Sequence, residues 1–151
     1  MLPTYPVMEI TTHVSAMDIP MIHAFLSEQS GWAKGIPLAT VKKSLQHSLC
    51  FGGLIDGKQM AFARVVTDRA TFAYVMDVFV LPEWRHQGYC KTLLNNILQH
   101  PDLQNLRRIL LVSSDARGLY QKFGFTTPLK PETFMEINVP DIYQQSINDP
   151  D

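Results

Sequence analysis

The chain has 151 residues, of which 46% are hydrophobic and 18% are charged. A domain of this size buries about 70% of the surface that its unfolded chain exposes, so we expect a single domain over 1–151, with its core at about 7–139 and a loose tail at 140–151. The 13 Lys and Arg residues nearly balance the 14 Asp and Glu residues. This balance argues against a nucleic-acid partner, which requires a strongly basic face.

The cysteines and histidines show no metal-ligand spacing, and two thiols do not form the disulfide framework of a secreted domain. We therefore expect no metal and a reducing, cytoplasmic environment. The first residues lack the basic start and apolar core of a signal peptide, and no run approaches the ~20 apolar residues that span a bilayer. The sequence therefore predicts a protein with no membrane segment.

The first third of the chain predicts one strand and two helices. Val7 to Val14 is typical of an edge strand. Asp18 stands where an N-cap belongs, and Pro20 fits the first turn of the helix that follows. The spacing of apolar residues predicts a second helix over Thr40 to Ser48.

The middle of the chain predicts an antiparallel meander. Strands are expected at Leu49–Ile55 and Gln59–Val66, joined by an Asp56-Gly57 turn of the kind that hairpins prefer. A third strand, Thr71–Leu81, is apolar on both faces, which is typical of a strand covered on both sides. Asp77 is its only charge and therefore requires an explanation.

The last part of the chain alternates helices and strands. A helix at about Gly88–His100 leads to a short buried strand at Arg108–Ser113, and such a crossover predicts a parallel pair. Asp115 is expected to cap a last helix that Gly124 closes. A final strand is expected at Thr133–Val139.

The turn after the central strand is the most informative segment. An apolar strand runs through Pro82 into a loop with Arg85, Gly88 and Lys91, and an amphipathic helix follows. The start of a helix leaves about four N–H groups free and carries partial positive charge, so this loop predicts a site for a phosphorylated ligand. The segment lacks the glycines of a nucleotide P-loop and of the dinucleotide-binding fingerprint.

Two motifs carry a resemblance to a known family. Val78-Phe79-Val80 followed by Arg85–Cys90 (RHQGYC) resembles the acetyl-CoA signature of the GNAT superfamily of N-acetyltransferases, and Leu119–Phe125 (LYQKFGF) resembles its second hallmark. The resemblance implies a three-layer α+β fold with a mixed, mostly antiparallel sheet and a splayed parallel pair. Trp32 and the Phe134–Ile137 segment further resemble small single-domain bacterial members that lack an assigned acceptor.

The resemblance implies acetyl-CoA as the co-substrate, with pantetheine between the splayed strands and the pyrophosphate on the loop amides. The implied binding residues are Val78, Phe79, Val80, Arg85, His86, Gln87, Gly88, Tyr89, Cys90, Lys91 and Ser114. Ser114 stands near a position where the family often has asparagine, and Asp115 is an alternative. Gly88 suits a close phosphate approach because it has no Cβ, while Arg85 and Lys91 add charge.

Cys90 departs from the glycine or alanine that the family usually has at this position. A thiol can pack there as a small apolar group. Alternatively, the start of the helix could lower its pKa and make it reactive, for example toward a mixed disulfide with CoA.

The resemblance also assigns catalytic roles. Tyr120 matches the acid that protonates the departing thiolate, and its alternative is a packing role at the core edge. From the residues themselves, Asp77 is the candidate base, because it is the only acid on the central strand and burial would raise its pKa. The alternative is an ion pair with Arg64 or Arg69, or an orientation role. A backbone N–H near Val80 is the natural donor to the oxyanion. Four aromatic residues could line an acceptor pocket or belong to the core: Trp32, Phe62, Phe72 and Tyr74.

The sequence therefore predicts an N-acetyltransferase that transfers acetyl from acetyl-CoA to the primary amine of a small molecule by direct attack in a ternary complex. The alternatives are a CoA-binding sensor or interaction module with weak turnover and an enzyme that acetylates protein amines. The analogy with other members of the fold also allows a homodimer.

Overall fold

The computed structural model describes residues 3–144 and has a five-stranded mixed sheet in the order β1-β2-β3-β4-β5. Neighbouring strands are antiparallel except β4 and β5, which are parallel. This confirms the predicted α+β class. The strands are β1 (Glu9–Thr11), β2 (Leu49–Ile55), β3 (Lys58–Thr67), β4 (Phe72–Val80) and β5 (Arg108–Leu110).

Four α-helices between residues 3 and 141 accompany the sheet, and residues 142–144 are also helical. The carboxylate of Asp18 accepts a hydrogen bond from the Met21 amide at 3.1 Å, so the predicted N-cap is confirmed. The first helix continues into a single π-helical segment at Phe25–Gln29. The helices are α1 (Ile19–Ala24), α2 (Leu38–Gln46), α3 (Tyr89–Gln99) and α4 (Arg117–Gln121).

Helices cover both faces of the sheet and complete three layers. Because side chains alternate along a strand, Cys50 packs with α1 and α2 while the next residue, Phe51, packs on the face that α3 covers. The core against α3 includes Leu93, Leu94 and Ile97, all fully buried.

The predicted hairpin between β2 and β3 is confirmed. Asp56 and Gly57 both have left-handed backbone, with φ of 51° and 77°. Two successive positive φ values are the signature of a type I′ turn, which matches the twist of the strands.

Two strands are shorter than the sequence predicts. β1 covers only the centre of the predicted Val7–Val14 segment. β5 ends at Leu110 rather than Ser113, and its residues are half-buried or exposed rather than buried. The physical reason is that β5 is the last strand of the sheet, with no neighbour on its outer side among residues 3–144.

Two other local predictions are wrong. The segment at Thr133–Val139 forms no strand, and residues 134–139 are exposed. Asp115 does not cap α4; the hydroxyl of Ser113 accepts the hydrogen bond of the Ala116 amide at 3.0 Å instead. Gly124, with φ of 95°, ends this helical region as predicted. Part of the predicted tail, 145–151, lies outside the described residues.

Candidate functional site

The parallel pair of strands separates part-way along its length. β4 pairs with β5 only where Phe72–Tyr74 face Arg108–Leu110. Beyond Tyr74, β4 continues to Val80 with no β5 partner within residues 3–144. The two strands therefore part after Tyr74 and Leu110, which leaves an opening beside the rest of β4, so the predicted splay is present.

A β-bulge in β4 lies beside this opening. Phe62 of β3 faces Phe79, but Arg64 faces Met76, so β4 carries one extra residue. Asp77 lies in this bulge and has φ of 52°, which is rare for a residue with a side chain. Bulges of this kind bend a strand and redirect a side chain. Here the bulge sets the direction of the Asp77 carboxylate.

The end of β4 presents backbone groups to the opening. The amide of Leu81 donates to the carbonyl of Met60 at 2.9 Å, so the backbone of Leu81 faces β3. Because backbone direction alternates along a strand, the N–H and C=O groups of Val78 and Val80 face the opening. The Val80 carbonyl accepts a hydrogen bond from Arg85 Nε at 2.9 Å, whereas its amide remains available.

The loop after β4 gathers unpaired backbone donors. His86 and Gly88 both have positive φ, 63° and 87°, and Gly88 is the N-cap of α3. Within residues 3–144, none of the six amides from His86 to Lys91 donates a hydrogen bond to a protein acceptor. A Cβ placed on Gly88 would meet nothing within 4 Å, so the loop is open at this point. Such a row of amides at the start of an 11-residue helix is suited to an anion.

Several side chains near the loop support it rather than face the opening. The Tyr89 hydroxyl donates to the Pro6 carbonyl at 2.6 Å, and its ring contacts the edge of Trp84. Phe79 stacks on Phe25 with ring centroids 3.9 Å apart. The side chains of Tyr89 and Phe79 therefore pack in the two cores and support the loop and the end of β4. The Gln87 side chain donates to the Glu83 carbonyl at 3.5 Å, so this hydrogen bond joins two residues of the loop itself.

The remaining polar residues of the predicted cofactor set are exposed. Arg85, His86 and Lys91 surround the free amides. Ser114 is exposed in the turn between β5 and α4, and no hydrogen bond joins it to another described residue. A ligand can reach these exposed side chains, although Arg85 Nε already donates to the Val80 carbonyl.

Tyr120 and Cys90 lie together at the edge of the core on the α3 side of the sheet. Burial, together with the nearby Cys90 thiol and Asp115, raises the pKa of Tyr120 to about 12. Burial also raises the pKa of the Cys90 thiol. This direction is opposite to the lowered thiol pKa that the reactive hypothesis requires, and its cause is the loss of solvation.

Asp77 forms the polar centre of a second group of contacts, the Asp77 corner, which comprises Asp77, Arg64, Trp32 and Ser48. One carboxylate oxygen accepts from Arg64 Nε at 2.8 Å and the other from Trp32 Nε1 at 2.7 Å. Arg64 also donates to the Ser48 hydroxyl at 3.1 Å. The ion-pair alternative for Asp77 is thus present, with Arg64 as the partner. Arg69 pairs with Asp102 instead.

The four predicted pocket aromatics separate into three places. Trp32 is 52% exposed and reaches the Asp77 corner. Phe62 is fully buried in the core. Phe72 and Tyr74 lie where β4 and β5 are still paired, away from the opening. Only Trp32 of this set is therefore positioned to contact an acceptor beside Asp77.

The sequence did not indicate how the Asp77 corner is assembled. Trp32 and Asp77 are 45 residues apart, and Ser48 and Arg64 come from other elements. The one signal was a single acid in an otherwise apolar strand. The positive φ of Asp77 has no sequence signature.

Within the described residues, no group of His, Cys, Asp or Glu side chains is arranged to hold a metal ion. None of the described helices combines the length and apolar character needed to cross a membrane.

Comparison with known proteins identifies the family. The family model for the acetyltransferase (GNAT) family matches residues 19–125, which include β4, the loop, α3 and α4. The chain belongs to the GNAT acetyltransferase family. Membership in GNAT places it among the acyltransferases and agrees with the resemblance carried by the two motifs.

Solved structures and a curated relative agree with this assignment. A GNAT-family protein of Xanthomonas campestris pv. campestris is 54% identical, with a TM-score of 0.90 over 93% of this chain and 99% of that one. A protein of Gibberella zeae named as an acetyltransferase is 28% identical over 137 residues, 75% of each chain. An acetyltransferase structure from Clostridium acetobutylicum, which contains acetyl-CoA, shares the fold at 17% identity, with a TM-score of 0.60 over 87% of this chain and 96% of that one.

Proposed function

We propose that the protein is an acetyl-CoA-dependent N-acetyltransferase that acts on a primary amine by direct attack in a ternary complex. The observation that carries the proposal is the row of six unpaired amides, His86 to Lys91, beyond the end of β4 that has no β5 partner. Acetyl-CoA in the Clostridium acetobutylicum structure, which shares the fold, supports this choice of co-substrate.

In this proposal the pyrophosphate of acetyl-CoA binds the amides of His86 to Lys91. The positive φ of Gly88 and its missing Cβ let the phosphate approach the backbone closely. The guanidinium of Arg85 and the ammonium of Lys91 add charge-assisted contacts. Ser114, on the opposite side of the opening, supplies a further polar contact to the cofactor.

Pantetheine in this proposal follows the end of β4. Its amides pair with the backbone of Val78 and Val80 as an added strand would, since those groups face the opening. This arrangement positions the thioester near the Val80 amide. That N–H stabilises the oxyanion that forms when the carbonyl is attacked.

The net reaction moves one acetyl group from CoA to the amine and one proton from the amine to the CoA sulfur. Asp77 takes up a proton, Tyr120 supplies one, and exchange with water then restores both side chains. The lone pair of the amine attacks the thioester carbon, and collapse of the tetrahedral intermediate breaks the C–S bond. The amine gives up a proton as the amide forms, and the CoA thiolate gains one from Tyr120. The products are the acetylated amine and CoA as its thiol.

Tyr120 is suited to donate this proton because its phenol stays protonated at neutral pH. Its pKa of about 12 exceeds the ~8.5 of an ordinary thiol, so complete proton transfer is uphill by less than about 5 kcal/mol. The phenol is partly solvated, which reduces this cost. A thiolate in the same opening is also desolvated, so its own affinity for the proton rises.

Asp77 is the proposed acceptor of the proton from the amine. Its oxygens receive hydrogen bonds from Arg64 and Trp32, which fix the carboxylate in the bulge of β4. Each carboxylate oxygen has a second lone pair, so the group can still accept a proton directly or through a water. The half-exposed face of Trp32 offers an apolar contact for a small amine, which is our proposed class of acceptor.

Thiol release tests this proposal. Purified protein is mixed with acetyl-CoA and a panel of primary amines, free CoA is followed with a thiol reagent, and acetylated products are identified by mass. We expect CoA release that depends on both the protein and an amine. Calorimetric binding of acetyl-CoA without release across the panel would favour the sensor alternative, and absence of binding would contradict the proposal.

We also propose that this reaction takes place in the cytoplasm. Cys50 and Cys90 are both free thiols. Free thiols and dependence on acetyl-CoA fit a reducing cytoplasm.

A further inference from the structure

One side chain of the loop after β4 reaches a distant part of the chain. The hydroxyl of Tyr89 donates a hydrogen bond to the carbonyl of Pro6 at 2.6 Å, and the two residues are 83 positions apart. Among the described residues, every other hydrogen bond of residues 84–91 joins them to a residue at most five positions away. Within residues 3–144, the N-terminal segment is therefore the only remote element that hydrogen-bonds to this loop.

The segment that accepts this hydrogen bond is itself fixed to the sheet. We call residues 6–8 the strap. The strap leads directly into β1, which pairs with β2. Met8 is 6% exposed, and its side chain fills the space above Gly53 of β2, where an added Cβ would overlap the Met8 sulfur. Met8 also belongs to the same core cluster as Tyr89. The strap therefore connects the loop with the edge of the sheet at β1.

The ring of Tyr89 is held on more than one side. It is 5% exposed and contacts the edge of the Trp84 ring, with centroids 6.2 Å apart. A buried tyrosine ring with a hydrogen bond at its hydroxyl has few available orientations. The backbone N–H of the same residue is one of the six free amides after β4. The contacts of the side chain therefore fix the position of a proposed phosphate donor.

This attachment matters because the free amides have little support within the loop. His86 and Gly88 both have left-handed backbone, which is uncommon for a residue with a side chain such as His86. The six amides of residues 86–91 donate to no protein acceptor within the described residues. Their partial positive charges are close together and repel one another. Such donors bind an anion most strongly when the protein already holds them in place, since the ligand then need not order them.

We propose that the strap positions the amides of residues 86–91 through the hydroxyl of Tyr89, and that it thereby sets the affinity for CoA. The family match begins at residue 19, so it assigns no role to the strap. The inference rests on the proposed function, because it takes those amides as the site of the CoA pyrophosphate. The Tyr89 hydroxyl is a positioning group, since it faces Pro6 and acts on the ligand only through the loop.

Calorimetric titration with CoA tests the proposal without turnover. Tyr89→Phe keeps the buried ring and removes the hydroxyl, so the loss of one hydrogen bond should raise the dissociation constant about fivefold. Tyr5→Phe is the matched control, because it removes a hydroxyl from a residue that is 44% exposed and precedes the strap. It should bind CoA as the wild type does. Equal dissociation constants for Tyr89→Phe and the wild type would overturn this inference alone. A wild type that does not bind CoA would overturn the proposed function as well.

Steady-state kinetics separate positioning from a purely structural role. In Tyr89→Phe the KM for acetyl-CoA should rise about fivefold while kcat stays within about twofold of the wild type, because the reacting groups are unchanged. Thiol release with a fixed acceptor measures both constants, and thermal denaturation measures stability. A lower melting temperature with an unchanged KM would show that the hydrogen bond only stabilises the fold, and would contradict the proposal.

Two truncations test the strap from its other end. Met8→Ala removes the side chain that anchors the strap to β2, so it should also raise the dissociation constant for CoA. Leu45→Ala is the control, since Leu45 is a buried residue of α2 on the opposite face of the sheet. Both variants lose buried contacts and stability, but only Met8→Ala should weaken CoA binding. Equal dissociation constants for the two variants would contradict the proposal.

Hydrogen exchange provides a reciprocal test. If the strap strengthens CoA binding, bound CoA must in turn stabilise the strap by the same coupling free energy. Exchange at the amides of Val7 and Met8 should therefore slow when CoA binds the wild type, and should slow less in Tyr89→Phe. Exchange that CoA leaves unchanged in the wild type would exclude the coupling, and equal slowing in both proteins would exclude the Tyr89 hydroxyl as its route.

Discussion

The loop that follows β4 and the Asp77 corner lie at the end of the same strand, yet their hydrogen bonding is opposite. The amides of His86 to Lys91 have no protein acceptor within the described residues. In the Asp77 corner, the carboxylate, Arg64 and the Trp32 indole all have partners. The first region therefore needs no rearrangement of hydrogen bonds to bind the pyrophosphate that we propose for it. In the Asp77 corner, an acceptor that binds must replace or share the hydrogen bonds that the carboxylate already accepts.

Substitutions in these two regions should therefore change different kinetic parameters. Changes in the loop should act mainly on the KM for acetyl-CoA, since they alter binding of the cofactor. Changes at Asp77 or Tyr120 should act mainly on kcat, because those groups are assigned to proton transfer.

The largest expected effect is that of Asp77→Asn, which keeps the shape of the side chain but removes the charge. If the carboxylate accepts the amine proton, kcat should fall about 100-fold or more. The control is Arg64→Met, which removes the ion-pair partner and retains the carboxylate. Steady-state kinetics with a fixed acceptor measure both variants.

The Arg64→Met variant should lose folding stability while keeping most of its turnover. It leaves the buried Asp77 carboxylate without its ion-pair partner, which should lower the free energy of unfolding by about 3 kcal/mol. Chemical denaturation measures this loss. Equal reductions of kcat in Asp77→Asn and Arg64→Met would assign Asp77 a structural role only.

Tyr120→Phe has the next largest expected effect. Removing the hydroxyl should lower kcat about 10- to 100-fold with little change in the KM for acetyl-CoA, because the phenol donates its proton only as the thiolate leaves. Full turnover in this variant would show that Tyr120 only packs at the core edge.

The stability of Tyr120→Phe at alkaline pH tests whether the phenol of Tyr120 is in the environment that raises its pKa. The pKa of Tyr120 is raised from about 10 in the unfolded chain to about 12 in the folded protein. Its contribution to stability is therefore fully present below about pH 10 and is lost as pH rises toward 12. Tyr120→Phe should show a smaller loss of stability over this interval than the wild type.

Gly88→Ala is expected to act on the cofactor loop. The φ of 87° strains any residue with a Cβ, at a cost of about 1 kcal/mol, and the Cβ would enter the space above the free amides. The KM for acetyl-CoA should rise about tenfold. Gly31→Ala is the control, because a Cβ there meets nothing within 4 Å and no positive φ is involved. Equal KM values for the two variants would contradict the assignment of the loop.

Cys90→Ala should have the smallest effect. Because burial raises the pKa of this thiol, we expect it to pack as a small apolar group, with less than about a twofold change in the KM for acetyl-CoA. Intact-mass measurement after diamide treatment with CoA checks its reactivity. A CoA adduct on the wild type that is absent from Cys90→Ala would show a reactive thiol.

Sequence patterns predicted the parts of the fold that local chemistry determines. The Asp18 cap, the Asp56-Gly57 turn and the glycine loop all depend on residues close together in the chain. The order of the sheet followed from strand spacing and from the resemblance to GNAT proteins. Such features require no knowledge of distant contacts.

The features that the sequence did not predict depend on tertiary structure. The sequence predicted Asp115 as the cap of α4, but no side chain among the described residues caps this helix. Because of the path of the turn, the Ser113 hydroxyl accepts a hydrogen bond from the backbone amide directly before the helix. The contact of Trp32 with Asp77 joins segments 45 residues apart. The 133–139 segment has the alternation of a strand, but it pairs with no strand among the described residues.

A crystal structure of the protein with bound CoA tests the central claim most directly. The account predicts pyrophosphate oxygens within hydrogen-bond distance of the amides from His86 to Lys91. It also predicts pantetheine between β4 and β5, with the sulfur near Val80 and Tyr120. Pyrophosphate bound elsewhere, with the amides of His86 to Lys91 free of the ligand, would contradict it.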